Sequence, residues 1–468
     1  MAWELPLVAA GEQGAELSAG QDGTTIRRSI LPGGVRVLTE QMPGIRSVSI
    51  GAWLGVGSRD EMTGHYGSTH FLEHLLFKGT KNRSAMDIAI SFDEVGGESN
   101  AGTGKEHTVY YAKIQDTDLP MAVDVIMDMV TSASLDPVAL ETERGVILEE
   151  LAMNEDDPTD VAHEKFATAV LGDTPIGRPI GGTPETIKAV PRDAVWEHYK
   201  QHYRPDTLVV AAAGSVDHDA FVKQVQDALT KGGWDLTQNI APAARRNTEY
   251  SGEPLAAGGT VTIPRPVEQA NVIVGCIGYS ATDDRRFALT VLNAILGGSM
   301  SSRLFQEIRE KKGLVYSTYS FAANHAETGV FGLYAGCAPA NVEIVEQLLH
   351  DELEKIGKDG VTDDEMRRAI GQICGGIVLG LEDSGSRMSR LGMSEIVYGE
   401  LLSIEDSLAK VRAVTKEQVQ DIAAELAGRP RTVVRVGPFL PDGSVDPNAK
   451  PSHENPDTET TDAESATA

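Results

Sequence analysis

The sequence has few cysteines, few basic residues for its number of acidic ones, and no long apolar run. Its three cysteines, Cys276, Cys337 and Cys374, form an odd and sparse set without a C-x-x-C pair. Such a set indicates a reducing compartment and argues against a disulfide framework or a thiolate zinc site. No run of about 18 apolar residues is present, and the sequence therefore predicts no membrane-spanning helix.

The shortage of basic residues argues against one class of partner. Lys and Arg number 41 against 69 Asp and Glu, a formal net charge of -28, so the chain is poorly suited to neutralising phosphates and we expect no nucleic-acid partner. The acidic body suits either of two roles, attraction of basic peptides or simple solubility. Residues 441–468 are acidic and rich in Pro, Ser and Thr, which predicts a disordered tail.

The N-terminal residues 1–23 resemble no targeting segment. They lack the basic and apolar regions of a signal peptide, and they lack the Arg-rich character of a transit peptide. We interpret them as a loose N-terminal arm of a cytoplasmic protein.

The clearest organisational signal is an internal duplication. Each copy begins with two strands joined by a turn, then shows a helix, a Gly-punctuated β-hairpin, further helices, and a last helix that runs into an apolar strand. The matching first helices read STHFLEHLLFKGT and FALTVLNAILGG. This order predicts an α+β fold of two homologous halves, each a mainly antiparallel sheet packed with helices.

The boundaries of the halves follow from the same pattern. We place the first half at 24–236 and the second half at 259–440. The segment 237–258 between them is rich in Pro, Ala and Gly and has no apolar period, which is typical of a linker.

The first copy alone carries a metal-binding pattern, His70-x-x-Glu73-His74. Residues four apart share one face of a helix, so His70 and His74 can present two imidazoles to one ion. Glu73 borders the same face, where a carboxylate can take a proton from water. The order is also that of the inverted zincins. Because the helix of the second copy lacks all three residues, the scaffold does not require them, and a chemical role is the better interpretation.

A zinc hydrolase needs about three protein ligands, and the segment ALETERGVILEEL is the best source of the third. Asp136 and Pro137 predict the start of a helix there, on which Glu143 and Glu150 share a face. A carboxylate on a packed face needs a partner. We assign Glu150 as the third ligand and Glu143 as support for a ligand histidine or for a substrate amine.

A histidine pair at this spacing is, taken alone, more often surface decoration than a metal site. A second pair, His198 and His202, has the same spacing without a glutamate between the two and stands just before a strand. We interpret that pair as structural.

The residues resemble a known family. The segments HFLEHLLFKGT, SNAGTGKEHTVYY, ERGVILEEL, HYRPDTLVV and SSRLFQEIREKKGLVYS resemble those of pitrilysin-type metallopeptidases, close to the catalytic β subunit of the mitochondrial processing peptidase and its bacterial relatives. The resemblance covers almost everything in 30–435. It implies one Zn2+ per chain, held by His70, His74 and Glu150, with Glu73 as general base.

The resemblance also implies where a substrate lies. A peptide would add as a strand to an exposed sheet edge around Ser99, Asn100 and Ala101. In the second half, Tyr316 would stabilise the oxyanion and Arg309 would hold the peptide backbone or its carboxyl side. Without the resemblance, a solvated Arg309 and an ordinary strand residue Tyr316 are the alternative.

The halves of this family face each other across a chamber, and a chain with one pair of halves is expected to dimerise. Because the zinc residues and the Arg–Tyr pair lie in one chain, a homodimer with complete sites is favoured over a heterodimer. The resemblance implies a zinc endopeptidase acting on short or unfolded peptides, with basic peptides preferred if the acidic body attracts them. Two alternatives stay open, a non-catalytic core subunit of a larger complex and a peptidase that matures a small peptide cofactor.

Overall fold

The computed structural model describes residues 2–9, 14–19, 23–248, 258–440 and 442–447. The fold is α+β, as the order of elements predicted. The strands are, in chain order, β1 (Ala2–Glu4), β2 (Ala15–Ala19), β3 (Thr25–Ile30), β4 (Arg36–Gln41), β5 (Ser47–Leu54), β6 (Glu98–Thr103), β7 (Thr108–Gln115), β8 (Leu208–Gly214), β9 (Gly259–Pro264), β10 (Ala270–Ile277), β11 (Val315–Asn324), β12 (Gly329–Cys337), β13 (Glu400–Leu402) and β14 (Thr432–Gly437).

The helices cover the sheets and connect the strands. They are, in chain order, α1 (Ser68–Leu76), α2 (Ala85–Asp93), α3 (Leu119–Ser132), α4 (Pro137–Asp156), α5 (Pro158–Leu171), α6 (Pro184–Ala189), α7 (Arg192–His202), α8 (His218–Lys231), α9 (Arg286–Gly297), α10 (Val342–Asp359), α11 (Asp363–Gly380), α12 (Ser384–Met393), α13 (Ile404–Arg412) and α14 (Lys416–Gly428). Two π-helical segments, Phe305–Glu310 and Ser394–Tyr398, follow α9 and α12. Within the described ranges, no helix is both long enough and apolar enough to cross a membrane.

The first half is built on a seven-stranded sheet with the order β2-β3-β4-β8-β5-β7-β6. The strand β8 pairs in parallel with β4 and antiparallel with β5. Its sequence, LVVAAAG, is buried at every position, and a strand that is apolar on both faces belongs in the middle of a covered sheet. β6 forms one edge of this sheet, and its partner among the described strands is β7.

The second half repeats this plan in a five-stranded sheet with the order β11-β12-β10-β14-β9. Its last strand, β14, lies parallel to β9 and antiparallel to β10, as β8 lies between β4 and β5. The shared order confirms the internal duplication. One expectation was wrong in detail, because the first two strands of each copy do not form a hairpin. The last, fully apolar strand of each half inserts between them and adds one parallel pair to each sheet.

The two halves exchange a helix. α5, from the first half, packs on β10 and β14 of the second sheet, whereas α12, from the second half, packs on β4, β5 and β8 of the first. Phe166 of α5 is fully buried, with its ring centroid 5.7 Å from that of Phe321. Trp53 of β5 donates a hydrogen bond to Met388 Sδ of α12 at 3.4 Å. Each sheet therefore relies on the other half for part of its cover.

The described part of the N-terminal arm is ordered against the rest of the chain, and the prediction of a loose arm is wrong for these residues. β1 pairs with β13 of the second half, and β2 extends the seven-stranded sheet. Leu5 is buried, and its carbonyl oxygen accepts a hydrogen bond from Arg245 of the linker at 2.8 Å. Arg245 also pairs with the fully buried Glu395 at 2.9 Å. The predicted disordered tail falls mainly on 441 and 448–468, outside the described residues.

Candidate metal centre and active site

The helix that carries the motif is α1, and Glu61 and Gly67 determine where it begins. Gly67 has a φ of 92°, a backbone conformation that favours glycine, and a Cβ there would also have to displace the Ile187 side chain. The Glu61 carboxylate accepts hydrogen bonds from the backbone N–H groups of Gly67 at 2.8 Å and Thr69 at 2.7 Å. Burial nevertheless raises the pKa of Glu61 to about 7. Glu61 was not among the residues predicted from the sequence.

The packing of α1 leaves the motif on its accessible side. The side chains of His70 and His74 are 12% and 19% exposed, and Glu73 is also partly exposed. The opposite side is buried in the core of the first half. Its core residues are Phe71, Leu72, Leu75 and Leu76.

The second helix of the site, α4, begins where the sequence predicted. Asp136 accepts hydrogen bonds from the backbone N–H groups of Val138 and Ala139 at 2.9 and 3.0 Å, which is an N-cap. Glu143 and Glu150 lie two turns apart on this helix, and both reach the histidines of α1.

Three side chains of the motif and of α4 converge as metal ligands do. Glu150 Oε2 lies 3.6 Å from His70 Nε2 and 3.5 Å from His74 Nε2, and the three donor atoms lie within 4.8 Å of one another. Zinc bonds of about 2.0–2.2 Å in a tetrahedral site place neighbouring ligand atoms about 3.4 Å apart. Within the described part of the chain, this is the one set of His, Cys, Asp or Glu side chains close enough together to hold an ion.

The protonation of His70 and the hydrogen-bond partner of His74 also suit a cation. Burial lowers the pKa of His70 and so favours its neutral form. His74 Nδ1 lies 3.2 Å from Glu143 Oε2, which leaves Nε2 free as a ligand. Glu143 also forms an ion pair with Lys78 Nζ at 3.0 Å. Two roles were predicted for Glu143, support of a ligand histidine or of a substrate amine. The structure places Glu143 beside a ligand histidine, His74. Lys78, four residues after His74, was not singled out from the sequence.

Glu73 is held by a residue that the sequence analysis missed. Thr103 Oγ1 donates a hydrogen bond to Glu73 Oε2 at 2.5 Å. Thr103 is the last residue of β6, and its place in SNAGT, two residues after the predicted substrate edge, is the signal that could have identified it.

The predicted substrate edge lies in an edge strand. Ser99, Asn100 and Ala101 belong to β6, whose one paired side faces β7. Ser99 and Asn100 are exposed. The backbone N–H of Ala101 donates to Asn100 Oδ1 at 2.8 Å. An added strand would use the same N–H group for pairing, so the Asn100 side chain would have to release it.

Arg309 and Tyr316 contact each other in the second half. The guanidinium carbon of Arg309 lies 4.9 Å from the ring centroid of Tyr316 and 4.6 Å from that of Phe305. Tyr316 is 75% exposed. Among the described residues, no hydrogen bond or ion pair joins Arg309 or Tyr316 to the three converging ligands of the first half.

The second histidine pair has a structural environment. His198 Nε2 lies 3.0 Å from Thr69 Oγ1, beneath the first turn of α1. Burial lowers the pKa of His198 to about 3, so it is neutral at physiological pH. Its ring centroid lies 4.5 Å from that of His202. The pair therefore packs α7 against the first turn of α1 through His198.

Two family models match consecutive parts of the chain. The model of the insulinase family, peptidase family M16, matches residues 36–184, and that of the peptidase M16 inactive domain matches residues 189–373. An uncharacterized zinc protease of Streptomyces coelicolor is 49% identical over 90% of this chain and 92% of its own length. One of Mycobacterium tuberculosis is 44% identical over 88% of this chain and 93% of its own. YmxG of Bacillus subtilis, also an uncharacterized zinc protease, is 36% identical over 86% and 95%.

Solved structures share the fold. The peptidase M16 inactive domain from Pseudomonas fluorescens superposes with a TM-score of 0.80 at 18% identity and covers 90% of this chain and 99% of that one. A protease from Helicobacter pylori superposes with a TM-score of 0.79 at 21% identity and covers 88% and 99%.

The fold and the two-helix donor set define the class of inverted-zincin metallopeptidases. Within that class the chain belongs to peptidase family M16, the insulinase family, which confirms the predicted pitrilysin-type family. The model that matches residues 189–373 describes an inactive domain, and α9, which takes the place of α1 in the second half, carries no histidine and no glutamate.

Proposed function

We propose that this chain is a zinc-dependent endopeptidase of the cytoplasm that cleaves short or unfolded peptides in the manner of a processing peptidase. The observation that carries the proposal is the convergence of His70, His74 and Glu150 beside Glu73 and next to an edge strand. The relatives named as zinc proteases support the same reaction.

The ligand set assigns a task to each side chain. Held by His70, His74 and Glu150, one Zn2+ per chain would polarise the peptide carbonyl and acidify a water molecule. Glu73 would take a proton from that water and deliver it to the leaving amine. Its Oε1 is suited to the task, because among the described residues it accepts no hydrogen bond while Oε2 is held. Glu143 would keep His74 in the tautomer that binds metal.

The peptide would bind as a strand along β6. Ser99, Asn100 and Ala101 would form the pairing edge, and main-chain hydrogen bonds would supply affinity with little demand on sequence. From the second half, Tyr316 would stabilise the oxyanion and Arg309 would hold the peptide backbone or its carboxyl side.

Charge and chain organisation support two further parts of the proposal. The net charge of -28 favours basic peptides, and equal cleavage rates for matched acidic and basic peptides would contradict that preference. Zinc residues and the Arg–Tyr pair in one chain favour a homodimer. Sedimentation of the purified chain measures this directly, and a monomer would contradict it.

The test of the proposed function compares three proteins on a quenched basic peptide: the wild type, Glu73→Gln and the matched control Glu149→Gln, which changes an exposed glutamate of α4. We expect zinc in all three, cleavage by the wild type and the control, and at least a 100-fold loss in Glu73→Gln. Zinc without cleavage in the wild type would favour a non-catalytic core subunit. A wild type that does not bind zinc would overturn the metal site.

A further inference from the structure

The last residue of the edge strand is hydrogen-bonded to the motif helix. Thr103 Oγ1 and Glu73 Oε2 are 2.5 Å apart, and the bond joins residues 30 positions apart in the sequence. Hydroxyl bonds to a carboxylate are shorter and stronger than bonds between neutral groups. The contact therefore ties α1 to β6 at the residue proposed as general base.

Glu73 has no other fixed partner in the described chain. Neither the other hydrogen bonds nor the ion pairs of the site involve its carboxylate. A glutamate side chain has three rotatable bonds, each with its own set of rotamers, and helix packing fixes only the position of its Cα atom. The Thr103 hydroxyl is thus the group that selects one orientation of the Glu73 carboxylate.

The second copy of the fold places a hydroxyl at the same strand position. From Leu54, at the end of β5, two ladder steps across β7 lead to Thr103. Val274 takes the place of Leu54 in the second copy, because both face the core of their own half and both pair with the apolar strand inserted beside them. From Val274 the same two steps across β12 lead to Ser320, whose hydroxyl donates to the main-chain oxygen of Asn293 at 3.0 Å.

The second copy lacks the carboxylate. In each helix, α1 and α9, two pairs of neighbouring residues are buried one turn apart, and superposing these pairs places Asn293 at the position of Glu73. The pairs are Phe71–Leu72 and Leu75–Leu76 in α1 and Val291–Leu292 and Ile295–Leu296 in α9. In the copy with metal ligands the strand hydroxyl therefore binds a carboxylate side chain, whereas in the copy without them it binds a main-chain oxygen.

We propose that Thr103 is the positioning residue of Glu73. It holds Oε2 so that Oε1 is presented to the reacting water. Because it also ends the strand on which a peptide would pair, it fixes the base in register with the docked peptide. This inference rests on the proposed function and adds to it a residue that acts through Glu73.

The test uses the full-length zinc-loaded chain with Thr103→Val, Thr103→Ser and Thr108→Val. Thr108 is the matched control, because it faces Thr103 across the ladder and its hydroxyl donates to the Val56 carbonyl oxygen instead of to Glu73. We expect Thr103→Val to lower kcat about tenfold, part of the 10²–10⁴ lost with the base itself, with KM changed less than about twofold. Thr103→Ser should restore most of kcat, and Thr108→Val should keep it.

Two readouts separate positioning from a structural or a substrate-binding role. In a Glu73→Gln background, Thr103→Val should cause no further loss of cleavage, because it would act only through the base. In the same inactive background, the Kd of a fluorescent peptide should not change. Thr103→Ala repeats the comparison if valine disturbs the strand.

Several outcomes would overturn the inference. They are full kcat in both Thr103→Val and Thr103→Ala, no rescue by serine, an additional loss in the Glu73→Gln background, or weaker peptide binding. An active wild type with an unaffected Thr103→Val removes the role of Thr103 alone. A zinc-loaded wild type without cleavage removes the proposed function and this role with it.

Discussion

Glu143 Oε2 lies 3.2 Å from His74 Nδ1, and this pairing determines which nitrogen of His74 faces the ligand site. The carboxylate accepts a hydrogen bond from Nδ1–H, so Nε2 keeps its lone pair 3.5 Å from Glu150 Oε2. A carboxylate behind a ligand histidine fixes the tautomer and raises the basicity of the ring. Lys78 Nζ lies 3.0 Å from the other oxygen of Glu143, so each oxygen of this buried carboxylate has a partner.

Glu143→Gln is expected to weaken zinc binding by about 10- to 100-fold, because partners behind a ligand histidine contribute on this scale. Competition with a zinc chelator measures the affinity. Glu141→Gln is the matched control, because Glu141 lies on the same helix but is exposed and pairs with Arg144. Equal zinc affinity in Glu143→Gln and the control would show that the contact with His74 does not support the metal.

Removal of metal is expected to lower the Tm of the wild type together with its activity. A ligand that binds only the folded state stabilises it by about 2.7 kcal/mol at a concentration of 100 Kd. Calorimetry with a chelator, followed by added zinc, measures the effect. Glu150→Ala should show little change in Tm under the same treatment, and a chelator shift as large as that of the wild type would place the ion elsewhere.

The stability of the first half is expected to depend on pH through Glu61. Burial raises its folded pKa from 4.5 to about 7, so the folded state binds the proton more tightly than the unfolded state. The stabilisation is full below about pH 4.5 and is lost as pH rises towards 7, by up to about 3 kcal/mol. Relative to Glu61→Gln, the wild type should therefore lose free energy of unfolding between pH 5 and pH 8. A constant difference between the two proteins would contradict this.

Ala101→Pro is expected to raise KM at least about tenfold while zinc stays bound, because it removes a backbone donor that lies on the free side of the strand. In the absence of peptide this N–H meets Asn100 Oδ1 at 2.8 Å. Ala101→Ser keeps the donor and serves as the control. Steady-state kinetics with one peptide decides the matter, and an unchanged KM in the proline variant would argue against pairing along β6.

Local pattern was enough to predict much of this molecule. The spacing of His70 and His74 and the N-cap Asp136 are properties of single helices, and the duplication could be read from element order. The residues that were missed act over distance. Glu61 caps a helix from outside it, and Thr103 reaches Glu73 across 30 positions, so periodicity within one element indicates neither contact.

The exchange of α5 and α12 was not predictable for a related reason. An amphipathic pattern shows that a helix has an apolar face but not which sheet that face will cover. The insertion of β8 between β4 and β5 is similar, since a fully apolar strand indicates a central place and leaves its neighbours open.

The exchanged helices make the two halves interdependent during folding. A fragment cut at the linker would leave Phe166 without the ring of Phe321, and it would leave Trp53 without Met388. Each fragment would then expose an apolar sheet face of the kind that drives aggregation. Although the sequence contains the same pattern twice, the two halves therefore form one cooperative folding unit. Fragments cut at the linker should show a native melting transition only when both are co-expressed.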